Sequence, residues 1–169
     1  SGSLDERLMQ IEKFLFNNYI NSRVVGNLIT EFQKLVSDLE SRHIAHGDLS
    51  HRNIIIRNQQ MLLVDYDGIF VPLLGGKLSS ALGNINFQHP LRNEKDFGPT
   101  IDRFSSIAIF LALSLIKIAP HLWKEFSVGS EGLLFRREDL ANPDQSQLFK
   151  RAESLAGMRD SIEHFRAIC

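Results

Sequence analysis

The stretch from Ile101 to Ala119 constrains this chain most, because it is apolar on nearly every side. A helix with an apolar stripe needs one covering partner, whereas one apolar all round must be enclosed. Its longest apolar run, Ile107 to Ala119, is interrupted by Ser114 and Lys117. That run is too short for a membrane span, so it reads as the buried helix at the centre of a globular domain, limited by Pro120. With 169 residues, 43 % of them hydrophobic, the chain has enough material for one domain to cover such a helix.

The rest of the chain supplies the cover. Leu4, Leu8, Ile11, Leu15 and Tyr19 recur at spacings of three and four and predict an amphipathic helix. Val25, Leu28, Phe32, Leu35, Val36 and Leu39 predict a second, ending near Arg42-His43. Ile54-Ile55-Ile56 and Met61-Leu62-Leu63-Val64 are short and rich in branched residues, so with the polar turn between them they predict a β-hairpin. Residues 66 to 100 carry five glycines and three prolines and read as a long ordered loop. Asn142-Pro143 predicts an N-cap with Pro at the first helical position, before a helix through Leu148, Phe149, Ala152 and Leu155. Gly157 ends that helix, and Ile162, Phe165 and Ile168 mark a last one. Arg136-Arg137 beside Glu138-Asp139 reads as a solvated, self-compensating surface. The fold class expected is mainly α with a small β-hairpin.

Composition narrows the function classes. A net charge of −1 with no strong basic run gives no reason to expect a nucleic acid or an anionic membrane as partner. The single cysteine, Cys169, permits no internal disulfide, and a cytoplasmic location is the expectation. Ser1-Gly2-Ser3 reads as a cloning remnant, leaving 4–169 as one domain. His43 and His46 straddle a predicted helix end without further ligands, so zinc is not expected. His46 is expected to pack and hydrogen-bond. Gly75-Gly76-Lys77-Leu78-Ser79 lacks the spacing of a phosphate-binding loop and reads as a flexible loop.

The functional signal lies in His46-Gly47-Asp48-Leu49-Ser50-His51-Arg52-Asn53 and in Asp65-Tyr66-Asp67-Gly68, which follows the second apolar strand. Asn53 and Asp65 each sit at the open end of the two paired strands, so the hairpin brings them together. These runs resemble the H-x-D-L-x-x-x-N catalytic loop and the magnesium motif of the protein-kinase-like superfamily. Asn86-Phe87-Gln88-His89-Pro90 is similar to the element that closes the kinase activation segment, and Asp102-Arg103-Phe104-Ser105 to the start of the kinase F helix. The order of the elements is that of a kinase C-terminal lobe, across roughly residues 4 to 168.

The resemblance implies a C-lobe architecture and a set of roles. Asp48 would accept or orient the proton of an attacking hydroxyl. Asn53 and Asp65 would hold magnesium on the phosphates of ATP, with Asp67 a competing or additional ligand; magnesium suits these hard oxygens. Arg52 would bring positive charge to the transferring phosphate, because position 50 is Ser where Ser/Thr kinases carry Lys. Asp102 would cap its helix and hydrogen-bond the catalytic-loop backbone.

The departures matter as well. Gly47 replaces the Arg that binds a phosphorylated activation loop, so that mode of switching is not expected. His89-Pro90-Leu91 lacks the usual buried Glu. No glycine-rich phosphate loop, strand Lys or helix Glu is present, so the β-rich N-lobe is missing from this chain. The first function expected is therefore the C-lobe of a Mg-ATP phosphotransferase acting on protein, of Ser/Thr type, with the isolated lobe binding ATP weakly or not at all. The alternatives are a pseudokinase-like module that binds a partner protein, and a small-molecule kinase of the aminoglycoside or choline type, whose loops also carry His-Gly-Asp. Self-association through the uncovered N-lobe face is expected to be possible.

Overall fold

In the computed structural model the described residues are the backbone of Met9–Gln10 and residues 21–58, 60–127 and 131–169. The elements are β1 (Met9–Gln10), α1 (Ser22–Ser41), β2 (Ile54–Arg57), β3 (Gln60–Leu63), a 3-10 turn (Pro72–Leu74) and α2 (Arg103–Ile118). A π-helical turn (Trp123–Ser127), α3 (Arg137–Ala141), α4 (Gln147–Glu153) and α5 (Arg159–Ala167) follow. The described chain is thus mainly helical with one small antiparallel sheet.

Helix α2 is enclosed over most of its surface, with Ile107 and Ile118 left exposed. Ala108, Ile109, Leu111, Ala112, Leu113, Leu115 and Ile116 are all buried. One side packs on α1, which buries Val25, Leu28 and Phe32 at spacings of three and four. Phe104 on α2 meets Phe165 on α5, with ring centroids 5.3 Å apart. Phe165 in turn lies 5.2 Å from Phe135 and stacks on Phe149 at 5.8 Å. Each such ring contributes about 1.5–3 kcal/mol through burial. Among the described residues, no helix is long and apolar enough to cross a membrane.

Helix α1 begins where Asn21 accepts a hydrogen bond from the Val24 N–H at 2.8 Å. It ends in a paired turn: the His43 N–H donates to the Glu40 carbonyl and the Ile44 N–H to the Leu39 carbonyl, both at 3.0 Å. His43 takes the left-handed conformation (φ 55) that such an ending usually assigns to glycine. The turn aims the chain into the segment that begins at His46.

Three expectations need correction. The helix predicted through Leu4 to Tyr19 lies largely outside the described residues, but Met9–Gln10 within it is a strand, pairing Met9 with Ile56 and Gln10 with Ile55. The hairpin is therefore part of a three-stranded sheet in the order β1-β2-β3, with β2 in the middle. Covering an open strand edge outweighs local helical periodicity. Secondly, Asn142 does not cap α4; it closes α3, its N–H donating to the Glu138 carbonyl. Ser146 caps α4 instead, its hydroxyl accepting from the Phe149 N–H at 3.2 Å. Thirdly, Arg136 and Arg137 are tertiary ties rather than a solvated surface. Arg136 Nη2 donates to the Phe126 carbonyl at 2.8 Å and Arg137 Nη2 to the Pro90 carbonyl at 2.7 Å.

Candidate functional site at the His46–Asn53 turn

The chain leaves α1 and pairs Ala45 with Phe70 in an isolated antiparallel bridge. This bridge brings the stretch after β3 back across the His46 turn. Gly47 (φ 81) takes a left-handed conformation, and a Cβ there would stand 2.0 Å from the Gly68 carbonyl oxygen. No side chain fits between the two turns, which accounts for the glycine before Asp48.

The backbone of the turn is held from beneath by the start of α2. The buried Asp102 carboxylate accepts the His46 N–H on Oδ2 and the Gly47 N–H on Oδ1 at 2.9 Å. The expected bond to the loop backbone is present, but the expected helix cap is not: Asp102 makes no side-chain hydrogen bond to its own helix. Burial pushes its carboxyl above the usual range, opposed by those two N–H groups and by Arg92. Arg92 holds the next peptide, Nη1 donating to the Gly47 carbonyl at 2.8 Å. Burial lowers the Arg92 guanidinium pKa, against the pull of Asp102, Asp48 and Asp96.

His46 is buried, with both ring nitrogens engaged. Nε2 donates to the Val64 carbonyl at 2.9 Å and Nδ1 accepts the Asp48 N–H at 3.3 Å. Those partners select the neutral tautomer with its proton on Nε2. The ring is thus a spacer between the turn and the end of β3, as the sequence suggests.

Asp48 and Asn53 meet directly. Asn53 Nδ2 donates to Asp48 Oδ2 at 3.0 Å and to the Asp48 carbonyl at 2.8 Å. The other end of that amide, Oδ1, is not committed to Asp48. Across the open end of the hairpin the Val64 N–H donates to the Asn53 carbonyl at 3.0 Å, so Asp65 follows a residue tied to Asn53. Asp65 is exposed and adopts φ 66. Carboxamide and acid side chains are the commonest non-glycine residues in this conformation, yet it is an uncommon one and costs on the order of 1 kcal/mol.

The remaining predicted residues lie further out. Asp67 is exposed, and its carbonyl accepts from Ser80 Oγ at 3.3 Å. Arg52 is half exposed, with Nη1 3.7 Å from a carboxylate oxygen of Glu131. His51 is buried against Phe87, ring centroids 5.2 Å apart, and burial with nearby Arg52 pushes its pKa down to about 4. Burial pushes the Cys169 thiol up to about 12, so it is no thiolate nucleophile.

Gly83, Asn84 and Arg92 are the residues of this site that sequence reasoning missed. The Asn84 N–H donates to Asp48 Oδ1 at 2.6 Å, and Arg92 Nη1 bonds both the Gly47 carbonyl and Gln88 Oε1. The one available signal was Gly83 next to an Asn, a turn pair lying within a long loop.

Chemically, the arrangement joins an oriented carboxylate, Asp48, to two hard oxygen donors, Asn53 Oδ1 and Asp65. Magnesium is usually held by one or two such protein ligands with water and phosphate oxygens completing the shell, so the donor set fits that ion. Among the described residues no cluster of three or more His, Cys, Asp and Glu is present, and the pair would need oxygens from a ligand. No family model and no curated protein matches the chain.

Proposed function

We propose that this chain carries the acidic half of a Mg-ATP-dependent phosphotransferase site, as the C-terminal lobe of a protein-kinase-like enzyme. The observation that carries the reading is the Asn53 side chain, bound through Nδ2 to Asp48 and tied through its backbone to the residue before Asp65. One residue thereby links the group that would handle the hydroxyl to the groups that would handle the metal.

Phosphoryl transfer depends on placement and charge rather than on covalent work by the protein. Asp48 orients the substrate hydroxyl and takes its proton as the hydroxyl oxygen bonds to the γ-phosphorus. The bond from that phosphorus to the bridging oxygen breaks, and its electron pair leaves with ADP. Asn53 Oδ1 and Asp65, with Asp67 as an additional oxygen, would hold the metal. Magnesium, when bound, neutralises the developing charge. Arg52 adds positive charge at the edge of the site once it is released from Glu131.

Asp65, Tyr66 and Asp67 face outward, and Tyr66 is 52 % exposed. A nucleotide held here would be covered on one side only, so a second lobe is needed for tight binding. The substrate hydroxyl belongs to a protein in this reading.

Calorimetry tests it. Weak ATP binding that requires magnesium and is lost in Asp65→Asn is expected. Binding that is indifferent to magnesium, or unchanged in Asp65→Asn, would overturn the reading.

A second reading, a pseudokinase-like module that binds a partner protein, is favoured by one observation. Leu73, Leu78, Ile85 and Leu91 are 94 %, 57 %, 59 % and 78 % exposed along the loop between β3 and α2. Such a series of outward apolar side chains suits a protein contact.

A further inference from the structure

We infer that the Gly83–Asn84 peptide is a positioning element of Asp48, in which a backbone N–H orients the carboxylate in place of a side-chain cation. This rests on the reading of Asp48 as the group that orients the hydroxyl.

Asp48 receives one donor on each oxygen: the Asn84 N–H on Oδ1 at 2.6 Å and Asn53 Nδ2 on Oδ2 at 3.0 Å. Donors arriving from two separate segments fix the plane of the carboxylate. Each oxygen keeps a second lone pair, so a hydroxyl can still be accepted. At position 50, where a cation would assist, the side chain is a buried Ser, 2 % exposed.

The N–H reaches Asp48 only because residue 83 is glycine. Gly83 has φ 74, and a Cβ there would lie 2.7 Å from Asp48 Oδ1, 2.9 Å from Gln88 Nε2 and 3.0 Å from the Gly47 carbonyl oxygen. Both the conformation and the space exclude a side chain.

The peptide is also anchored beyond Asp48. Asn84 Oδ1 accepts the Asn86 N–H at 3.0 Å, and the Asn84 carbonyl accepts the Phe87 N–H at 2.9 Å. The buried Phe87 carbonyl accepts from Ser105 Oγ on α2 at 2.7 Å. Arg92 Nη1 joins Gln88 Oε1 to the Gly47 carbonyl. The donor to Asp48 is thus fastened to α2 through Phe87, the residue before Gln88. A backbone donor held this way is preorganised, whereas a lysine would have to be ordered at each turnover.

Amide hydrogen exchange by NMR on this chain tests the contact without nucleotide. The Asn84 amide is expected to be protected and to exchange about 10–100-fold faster in Asp48→Ala and in Gly83→Ala, as loss of a charge-assisted bond requires. The amide of Leu113, buried within α2, serves as the folding control. Asn84→Ala keeps the donor and should stay protected. Equal Asn84 exchange in the wild type and in Gly83→Ala would overturn the inference, even if Asp48→Ala failed to fold. In the enzyme joined to its other lobe, Gly83→Ala is expected to lower kcat about 10–100-fold with the KM for ATP unchanged. A changed KM with kcat intact would also overturn it. A protected Asn84 amide without magnesium-dependent ATP binding would sink the phosphotransfer reading but leave the contact standing. The reverse pattern would sink the contact alone.

Discussion

The His46–Asn53 turn and the Asp65–Asp67 turn lie side by side, yet they are built in opposite ways. The first is enclosed: His46, Gly47, Leu49, Ser50, His51 and Asn53 are buried, and Asp102, Arg92, Asn84 and Val64 hold its backbone and side chains. The second is exposed at all three positions and includes a residue at φ 66. The contrast teaches that the hydroxyl-handling side of the proposed site is finished by folding alone. The side proposed to handle the metal is open, with Asp65 in an uncommon backbone conformation.

The sharpest way to break this contrast is to insert a methyl group where the two turns touch. Gly47→Ala combines a left-handed conformation with a 2.0 Å clash against backbone, and a loss of more than about 3 kcal/mol is expected. Urea denaturation measures it; a loss under 1 kcal/mol would mean the turns are not locked together.

Acid should act on the enclosed turn next. His51 titrates near 4 when folded and has an ordinary value of 6.5. Below pH 6.5 the unfolded chain takes up a proton that the folded chain refuses, so stability falls as pH drops and levels off near 4. The full effect is about 3 kcal/mol at most. Denaturation midpoints followed across that range should slope in the wild type and flatten in His51→Leu.

The smallest stability effect belongs to the open turn. Asp65→Asn changes an exposed residue to another that tolerates its conformation, so a change within about 0.5 kcal/mol is expected. A large loss there would mean that Asp65 is structural and the contrast is false.

What the sequence made legible follows the same division between local and distant causes. Helices α1 and α2 and the β2–β3 hairpin could be read because their apolar periods run over neighbouring residues. The pairing of Asn53 with the end of β3 followed from the hairpin itself. Strand β1 was not legible, because pairing with a strand more than forty residues away overrides local spacing. The Ser146 cap was masked by a stronger local signal at Asn142-Pro143. The Asn84 contact and the Arg92 bond to Gly47 depend on how a long loop returns, and no periodicity encodes a return. Arg137 reads as one more surface charge until the Pro90 carbonyl is found beside it.

The central claim is that Asn53 and Asp65 form one metal-binding edge. Paramagnetic relaxation tests it most directly: Mn2+ added with ATP to the isotopically labelled chain broadens amides near the ion, even when binding is weak. The account predicts selective broadening of Asn53 and of residues 64 to 67, lost in Asp65→Asn while the His46–Leu49 amides keep their positions. Broadening centred elsewhere, or unchanged in Asp65→Asn, would contradict it.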